Sequence, residues 1–473
     1  VLTPKLSSPQ AEVRAAAIEA LGELRAREGR APLLALLQDK DVRVRRAAAG
    51  AGQLGARQAI EPLLKLARDA DPALRRASLD SLRRLREPRA VPLAVAALGD
   101  RQMEIKALEC LGELGGPPQA RAVTEWAKSN PSTEGLTAAV RVLTSWRDRK
   151  GLTVAERKEL DRSVAEVHGG TGMLVRWDVR GPLPAQVAPP IIERVASPGQ
   201  GDDTTGWHMR LATGTESRVL LAPKDAAKDA GWLASTEVIV PESTAVEFRA
   251  SSRGSLQVWL NGRSLHRRSQ AQSFQIDSDR FAGTLAKGVN RLLVQVGPSS
   301  TAVEFHLRFR RKSTTAEHER LTQAALARAG DPQRGRKLFF DVEKSQCLKC
   351  HRLGEQGEHI GPELTSVGGR FSRIYIVESI LEPSRTIAPS FATWMLVLKN
   401  GKTLTGVKIA ETEMMLTLAD NQGQKHPVAK TDIEQQRPAP VSSMPEGLEN
   451  RFTPEEFVDL IAFLMSQKEG RGP

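Results

Sequence analysis

From Leu6 to about Trp126 the chain repeats itself with a period of about thirty residues, and no other feature restricts its fold as tightly. Val13-Arg14, Val44-Arg45, Leu74-Arg75 and Ile105-Lys106 occupy equivalent places, each followed by small residues such as Ala16-Ala17, Ala47-Ala48, Ala77 and Ala107. Leu24, Leu54, Leu85 and Leu114 recur at the same spacing, and so do Pro32, Pro62 and Pro92, which suit the first turn of a helix. One such unit cannot bury its own apolar face, so units must stack. Each is expected to form two amphipathic helices, with alanines allowing close approach and leucines filling the seam. Helical patterning continues from Leu136 to Trp146 and, after the N-cap Thr153 ahead of Glu156, to Val167. Residues 1–167 are therefore expected to be an all-α solenoid with capping helices beyond Asn130-Pro131.

The units resemble short HEAT-type repeats, particularly the compact class also found in bilin lyases. That resemblance implies an interaction surface or a spacer, not catalysis. A chain of 473 residues is too long for one core and suggests about three domains. Its formal charge of +12 comes from 68 Lys+Arg against 56 Asp+Glu, with arginine pairs such as Arg75-Arg76, Arg83-Arg84 and Arg267-Arg268. An even basic spread reads as a solvated face, and no nucleic-acid partner is expected. No apolar run reaches the length of a membrane span.

At His168-Gly169-Gly170-Thr171-Gly172 the helical pattern gives way to alternation. Leu174–Val179, Arg218–Ala222, Thr236–Val240, Ala245–Ala250, Leu256–Leu260, Arg291–Val296 and Ala302–Arg310 read as strands, with Asn261-Gly262 as a hairpin turn. Residues 168–312 are expected to be an all-β jelly-roll sandwich. Val258-Trp259-Leu260-Asn261-Gly262 and Lys287-Gly288-Val289-Asn290-Arg291-Leu292-Leu293-Val294 resemble galactose-binding-like jelly rolls. Carbohydrate is thus a candidate ligand of the sandwich. Trp177 and Trp259 read as core, whereas Trp207 and Trp232 lie near Gly/Asp-rich loops and are the two to test for sugar stacking.

Cys347-Leu348-Lys349-Cys350-His351 carries the sharpest chemistry. Two thiols at this spacing can add across the vinyl groups of a haem while the next imidazole reaches the iron, the C-x-x-C-H signature of a single covalent haem c. A zinc half-site or a redox C-x-x-C is the competing reading; only three cysteines exist, and Cys110 lies far upstream and reads as a buried thiol. Covalent haem implies export to the periplasm or cell surface. Val1 is not an initiator Met, so a processed or trimmed product is expected.

Residues 313–330 read as a polar linker running into a helix, and residues 331–473 as a mainly α class I cytochrome c domain. Asp331-Pro332 opens a helix carrying Gly335 and Phe339, whose partner is a terminal helix from Glu455 to Gln467 bearing Phe457, Leu460, Ile461, Phe463 and Leu464. Candidates for the second axial ligand are Met395, Met414, Met415, Met444, Met465, His359 and His426. Met444 is preferred, since Ser442-Ser443-Met444-Pro445 is a loop in which proline restricts the preceding backbone to an extended form. Residues of about 391–437 read as a β-hairpin insertion.

Cys347–His351, Gly361-Pro362-Glu363-Leu364, Glu378-Ser379-Ile380-Leu381-Glu382-Pro383-Ser384, Asn400-Gly401-Lys402, Ser443-Met444-Pro445-Glu446-Gly447-Leu448 and Asp459-Leu460-Ile461-Ala462-Phe463-Leu464 together resemble the haem domain of planctomycete-type CxxCH proteins. Those are large exported proteins of the Planctomycetes and Verrucomicrobia, and helical repeats followed by a jelly roll are similar to their usual architecture. The resemblance implies Cys347 and Cys350 as thioether anchors, His351 as proximal and Met444 as distal iron ligand. The β-propeller common in that family has no counterpart in this sequence. The expected function is therefore an electron-transfer module, accepting electrons from a fused or partner dehydrogenase and passing them to an acceptor protein, more than a catalyst by itself. A carbohydrate-binding or adhesion scaffold with accessory haem, or a haem peroxidase, are the alternatives.

Overall fold

A computed structural model describes residues 2–24, 30–51, 57–100, 102–129, 132–184, 191–193, 206–214, 217–222, 230–299, 302–313 and 315–468. Leu54 of the repeat register, the Asn130-Pro131 boundary and most of the loops flanking Trp207 and Trp232 lie outside them. The chain divides into two compact units, Val1–Trp126 with Ala138–Val164, and Ala127–Thr137 with Ala165–Pro473.

The first unit is a stack of short helices: Ala11–Glu23, Arg30–Leu36, Val42–Gly50, Ile60–Leu66, Pro72–Arg84, Ala90–Ala97 and Glu104–Leu114. Asp41 and Asp71 cap their helices by accepting from Arg43 N and Leu74 N, each worth about 1 kcal/mol. The alanines and leucines of the repeat are its core, with Ala17, Val44, Ala48, Leu63, Leu74 and Ala107 at most 2 % exposed. Several arginines of the array are paired with its carboxylates. Arg14 Nε lies 3.0 Å from Asp39 and Arg46 Nε 2.8 Å from Asp71, Arg75 pairs with Asp100 in the same way, and Arg84 lies 2.9 Å from Asp80. Cys110 is fully buried, and burial pushes its thiol up to about 12.

The helix Val154–Thr171 starts at the Thr153/Glu156 capping pair, as the sequence suggests, but runs past Val167. His168 explains the extension. Its buried ring approaches Glu237 O at 3.0 Å through Nδ1, and its Nε2 accepts from Val175 N at 3.1 Å and Arg176 N at 3.3 Å, fastening the helix end to the sheet. Burial lowers this imidazole to about 4, so the ring is neutral at pH 7.

Among the described residues ten strands follow: β1 (Arg176–Leu183), β2 (His208–Leu211), β3 (Arg218–Ala222), β4 (Gly231–Val240), β5 (Thr244–Ser252), β6 (Leu256–Leu260), β7 (Arg263–Arg268), β8 (Asp279–Leu285), β9 (Gly288–Val296) and β10 (Val303–Arg311). They form antiparallel sheets of order β2-β1-β4-β9-β6-β7 and β3-β10-β5-β8. Alternate residues of both sheets, including Trp177, Val258, Val294, Phe305 and Phe309, build one shared core. Asn261 and Gly262, both at positive φ, make the β6–β7 turn.

The segment after the sandwich does more than link. Ala316–Ala327 is a helix capped by Thr315, and Leu321 and Ala325 belong to the core of the C-terminal region. On its other side Glu319 pairs with Arg310 of β10, and Gln323 donates to Glu247 of β5 at 2.8 Å. Sandwich and C-terminal region therefore form parts of one unit. The latter has helices Pro332–Phe340, Val342–Ser345, Val367–Arg370, Arg373–Leu381 and Pro454–Ser466. It also contains an antiparallel five-stranded sheet of β13 (Thr393–Leu398), β14 (Thr403–Glu411), β15 (Met415–Ala419), β16 (Lys425–Ala429) and β17 (Ile433–Pro438), after a minor β11–β12 hairpin at Arg352–Leu353 and Gln356–Gly357. That sheet has its own core of Leu396, Leu416, Leu418 and Val428.

Candidate functional site

Two helices frame the C-x-x-C-H turn. Asp331 caps Pro332–Phe340, and Thr453 and Glu456 form a reciprocal capping box on Pro454–Ser466. They cross at Gly335, where a Cβ would lie 1.9 Å from the carbonyl oxygen of Asp459; only glycine permits this approach. Arg334 locks the crossing by binding Asp459 at 2.6 Å, and Phe339 meets Phe463 with ring centroids 5.3 Å apart. Burial opposes ionisation of Asp459, but Arg334 and the Asp331 amide hold its carboxyl below the usual range.

Ser345 ties this frame to the motif: its hydroxyl donates to Phe339 O at 2.8 Å and accepts from Cys347 N at 3.3 Å. Gln346 turns the chain at φ 58°, and Cys347–Lys349 form one 3-10 turn. His351 N donates to Cys347 O at 2.8 Å, so both thiols and the imidazole issue from a single tight turn. The loop that follows wraps back on it. Ile360 N and Gly361 N both donate to Cys350 O, at 3.0 and 2.7 Å.

The histidine is oriented by that loop. His351 Nδ1 lies 2.7 Å from Pro362 O, which fixes the proton on Nδ1 and leaves the Nε2 lone pair available to a ligand. Gly361 sits against the ring face; a Cβ there would lie 2.7 Å from Cε1. Pro362 as a backbone partner is not legible in the motif itself; the Gly361-Pro362 pair in the loop after His351 is the one signal that points to it. Burial lowers the basicity of His351 and the Pro362 carbonyl partly restores it. Burial raises the Cys347 thiol to about 11 and raises that of Cys350 as well. A redox C-x-x-C instead depends on a lowered thiol pKa. Nor do zinc ligands gather here: among the described residues no group of three or more His, Cys, Asp or Glu side chains is placed to hold a metal ion. A pair of neutral thiols beside an Nδ1-anchored imidazole and a glycine-cleared ring face fits a covalent haem.

Met444 packs half-buried on the margin of the same core as Cys347, Leu348, Leu364 and Phe371. Of the other candidates, Met395 lies in β13, Met415 in β15 and Met465 in the terminal helix. Met414 falls in the turn before β15 and is 72 % exposed. His426 lies 2.8 Å from Asp420, and His359 lies 2.7 Å from Arg352. In the sandwich, Trp177 and Trp259 are buried, as the alternation suggests, while Trp232 packs on the shared core and Trp207 on a second cluster with Leu183, Leu233 and Leu293.

Among the described residues no helix is long and apolar enough to cross a membrane. HEAT repeats match residues 1–51 and 60–144. No curated protein matches the chain. Among solved structures, the CpcE–CpcF complex of phycocyanin lyase from Nostoc sp. PCC7120 is 20 % identical over 36 % of this chain and 79 % of its own, at a TM-score of 0.29. A designed armadillo repeat protein in complex with the peptide (KR)4 is 18 % identical over 34 % of this chain and 88 % of its own, at 0.28. Scores this low identify no shared fold. The family match and the stacked helices agree on one statement: the N-terminal part of the chain is a HEAT-like repeat array, followed by a sheet-rich region.

Proposed function

We propose that this chain is an exported c-type cytochrome module of the planctomycete CxxCH type, carrying single electrons between a dehydrogenase donor, fused or separate, and an acceptor protein. One observation carries the reading: His351, in the same turn as two thiols, has Nδ1 anchored on Pro362 O at 2.7 Å and Gly361 clearing its ring face. Support comes from the Gly335 crossing of the first and last helices, which suits a class I cytochrome c core.

A haem c supplies reversible one-electron exchange at its iron. Cys347 and Cys350 would hold it through two thioethers. Pro362 holds the His351 proton at Nδ1 and raises the basicity of the opposite nitrogen. Met444 would give a soft distal sulfur, which favours a raised potential. The half-buried Trp207 and Trp232 pack against cores, and for that reason electron carriage is preferred to sugar binding. Covalent attachment would also imply maturation in the periplasm or at the cell surface.

The test is mass spectrometry of the full chain matured in an export-competent host. The wild type should gain the mass of one haem, and a Cys347→Ser/Cys350→Ser variant should not. Wild-type protein of unaltered mass would overturn the proposal.

A further inference from the structure

The five-stranded sheet from Thr393 to Pro438 meets both the C-x-x-C-H turn and the Met444 loop. The turn between β15 and β16 lies against the C-x-x-C-H turn. Gly423, at φ 82°, approaches so closely that a Cβ would lie 2.7 Å from Lys349 O, and Lys425 Nζ pairs with Glu358 at 2.9 Å. The first residue of the sheet grips the methionine loop. Thr393, 1 % exposed, places its hydroxyl 3.0 Å from Ser443 Oγ, and its carbonyl accepts from Ala439 N at 2.8 Å. The loop has a second anchor on the helix Arg373–Leu381 side: Ser442 N donates to Ser384 Oγ at 3.1 Å. Within the loop, Met444 N donates to Ser442 Oγ at 3.1 Å, so the methionine backbone is fixed through two serines to two separate elements.

We infer that this sheet is a bracket that sets the spacing between the His351 turn and the Met444 loop, with Thr393 and Ser384 as positioning residues for Met444. The inference rests on the His351/Met444 reading above. The contacts motivate it directly, because one element of rigid hydrogen-bonded strands meets the segments before and after it in the chain. A hydroxyl contact of this kind shifts a local equilibrium roughly fivefold. Thr393→Val keeps shape and burial but removes the hydroxyl; Thr393→Ser keeps the hydroxyl and loses the methyl group.

The experiment compares Thr393→Val, Thr393→Ser, Ser384→Ala and Met444→Ala in the haem-loaded full chain. It reads the methionine-to-iron charge-transfer band, the midpoint potential and amide exchange at Ser442–Met444. Thr393→Val and Ser384→Ala should each speed exchange in the loop roughly fivefold, weaken the band and lower the potential, while thioether attachment is unchanged. Thr393→Ser should restore all three. If Met444→Ala abolishes the band but Thr393→Val and Ser384→Ala match wild type in band, potential and exchange, the bracket is overturned and the ligand reading stands. If Met444→Ala leaves the band intact, the ligand reading fails, and the bracket as a device for a ligand fails with it.

Discussion

In the repeat array one spacing recurs: Arg14 with Asp39 and Arg75 with Asp100 stand at equivalent places, and Arg46 with Asp71 one position on, each pair 25 residues apart. In the C-terminal region every comparable contact is made once, as with Arg334 on Asp459, Pro362 on His351 and Thr393 on Ser443. A stack shares its stability among similar interfaces, so a single lost contact is absorbed by its neighbours. A site built around one turn has no second copy of any part. The array is therefore expected to tolerate a single lost contact better than the C-terminal region does.

The sharpest challenge to that contrast is Gly335→Val. Its Cβ would fall 1.9 Å from Asp459 O, and forcing the helices apart should cost about 3 kcal/mol or more, read as a lowered denaturant midpoint for the C-terminal unit. A midpoint equal to wild type would show that the crossing is slack.

Next comes acidity. His168 sits at about 4 when folded against an ordinary 6.5, so between those values the unfolded chain binds the extra proton. Stability is complete above pH 6.5 and falls as pH drops towards 4, by roughly 3 kcal/mol in all. Urea midpoints across this window should fall less steeply in His168→Gln than in the wild type; equal slopes would remove His168 as the cause.

Smaller effects are expected in the array. Arg46→Met removes a pair whose arginine side chain is 41 % exposed, and the loss should stay below about 1 kcal/mol. A loss of several times that would break the idea of a shared load. Gly50→Ala, with nothing within 4 Å of the added methyl, should leave stability unchanged or raise it by about 0.5 kcal/mol, read from the urea midpoint.

The array, the caps at Asp331 and Thr453 and the Gly335/Phe339 crossing are legible in the sequence because each rests on spacing within one element. The strands not read there, β2, β7 and β8, are all edges of their sheets. His208–Leu211 and Arg263–Arg268 face water and carry polar residues, so β2 and β7 lack the alternation that marks a half-buried strand. The C-x-x-C-H turn was legible as chemistry. Its supports were not, since Pro362 O acts through the backbone and Thr393 meets Ser443 across 50 residues of chain. The helix running to Thr171 escaped notice for the same reason, because it depends on contacts of His168 with a distant strand.

That Cys347, Cys350 and His351 hold one haem c is a proposal the pyridine haemochrome spectrum of the full chain, matured in an export-competent host, can decide. A c-type spectrum with one haem per chain is expected, reflecting two thioether bonds. A b-type spectrum, or none at all, would contradict it.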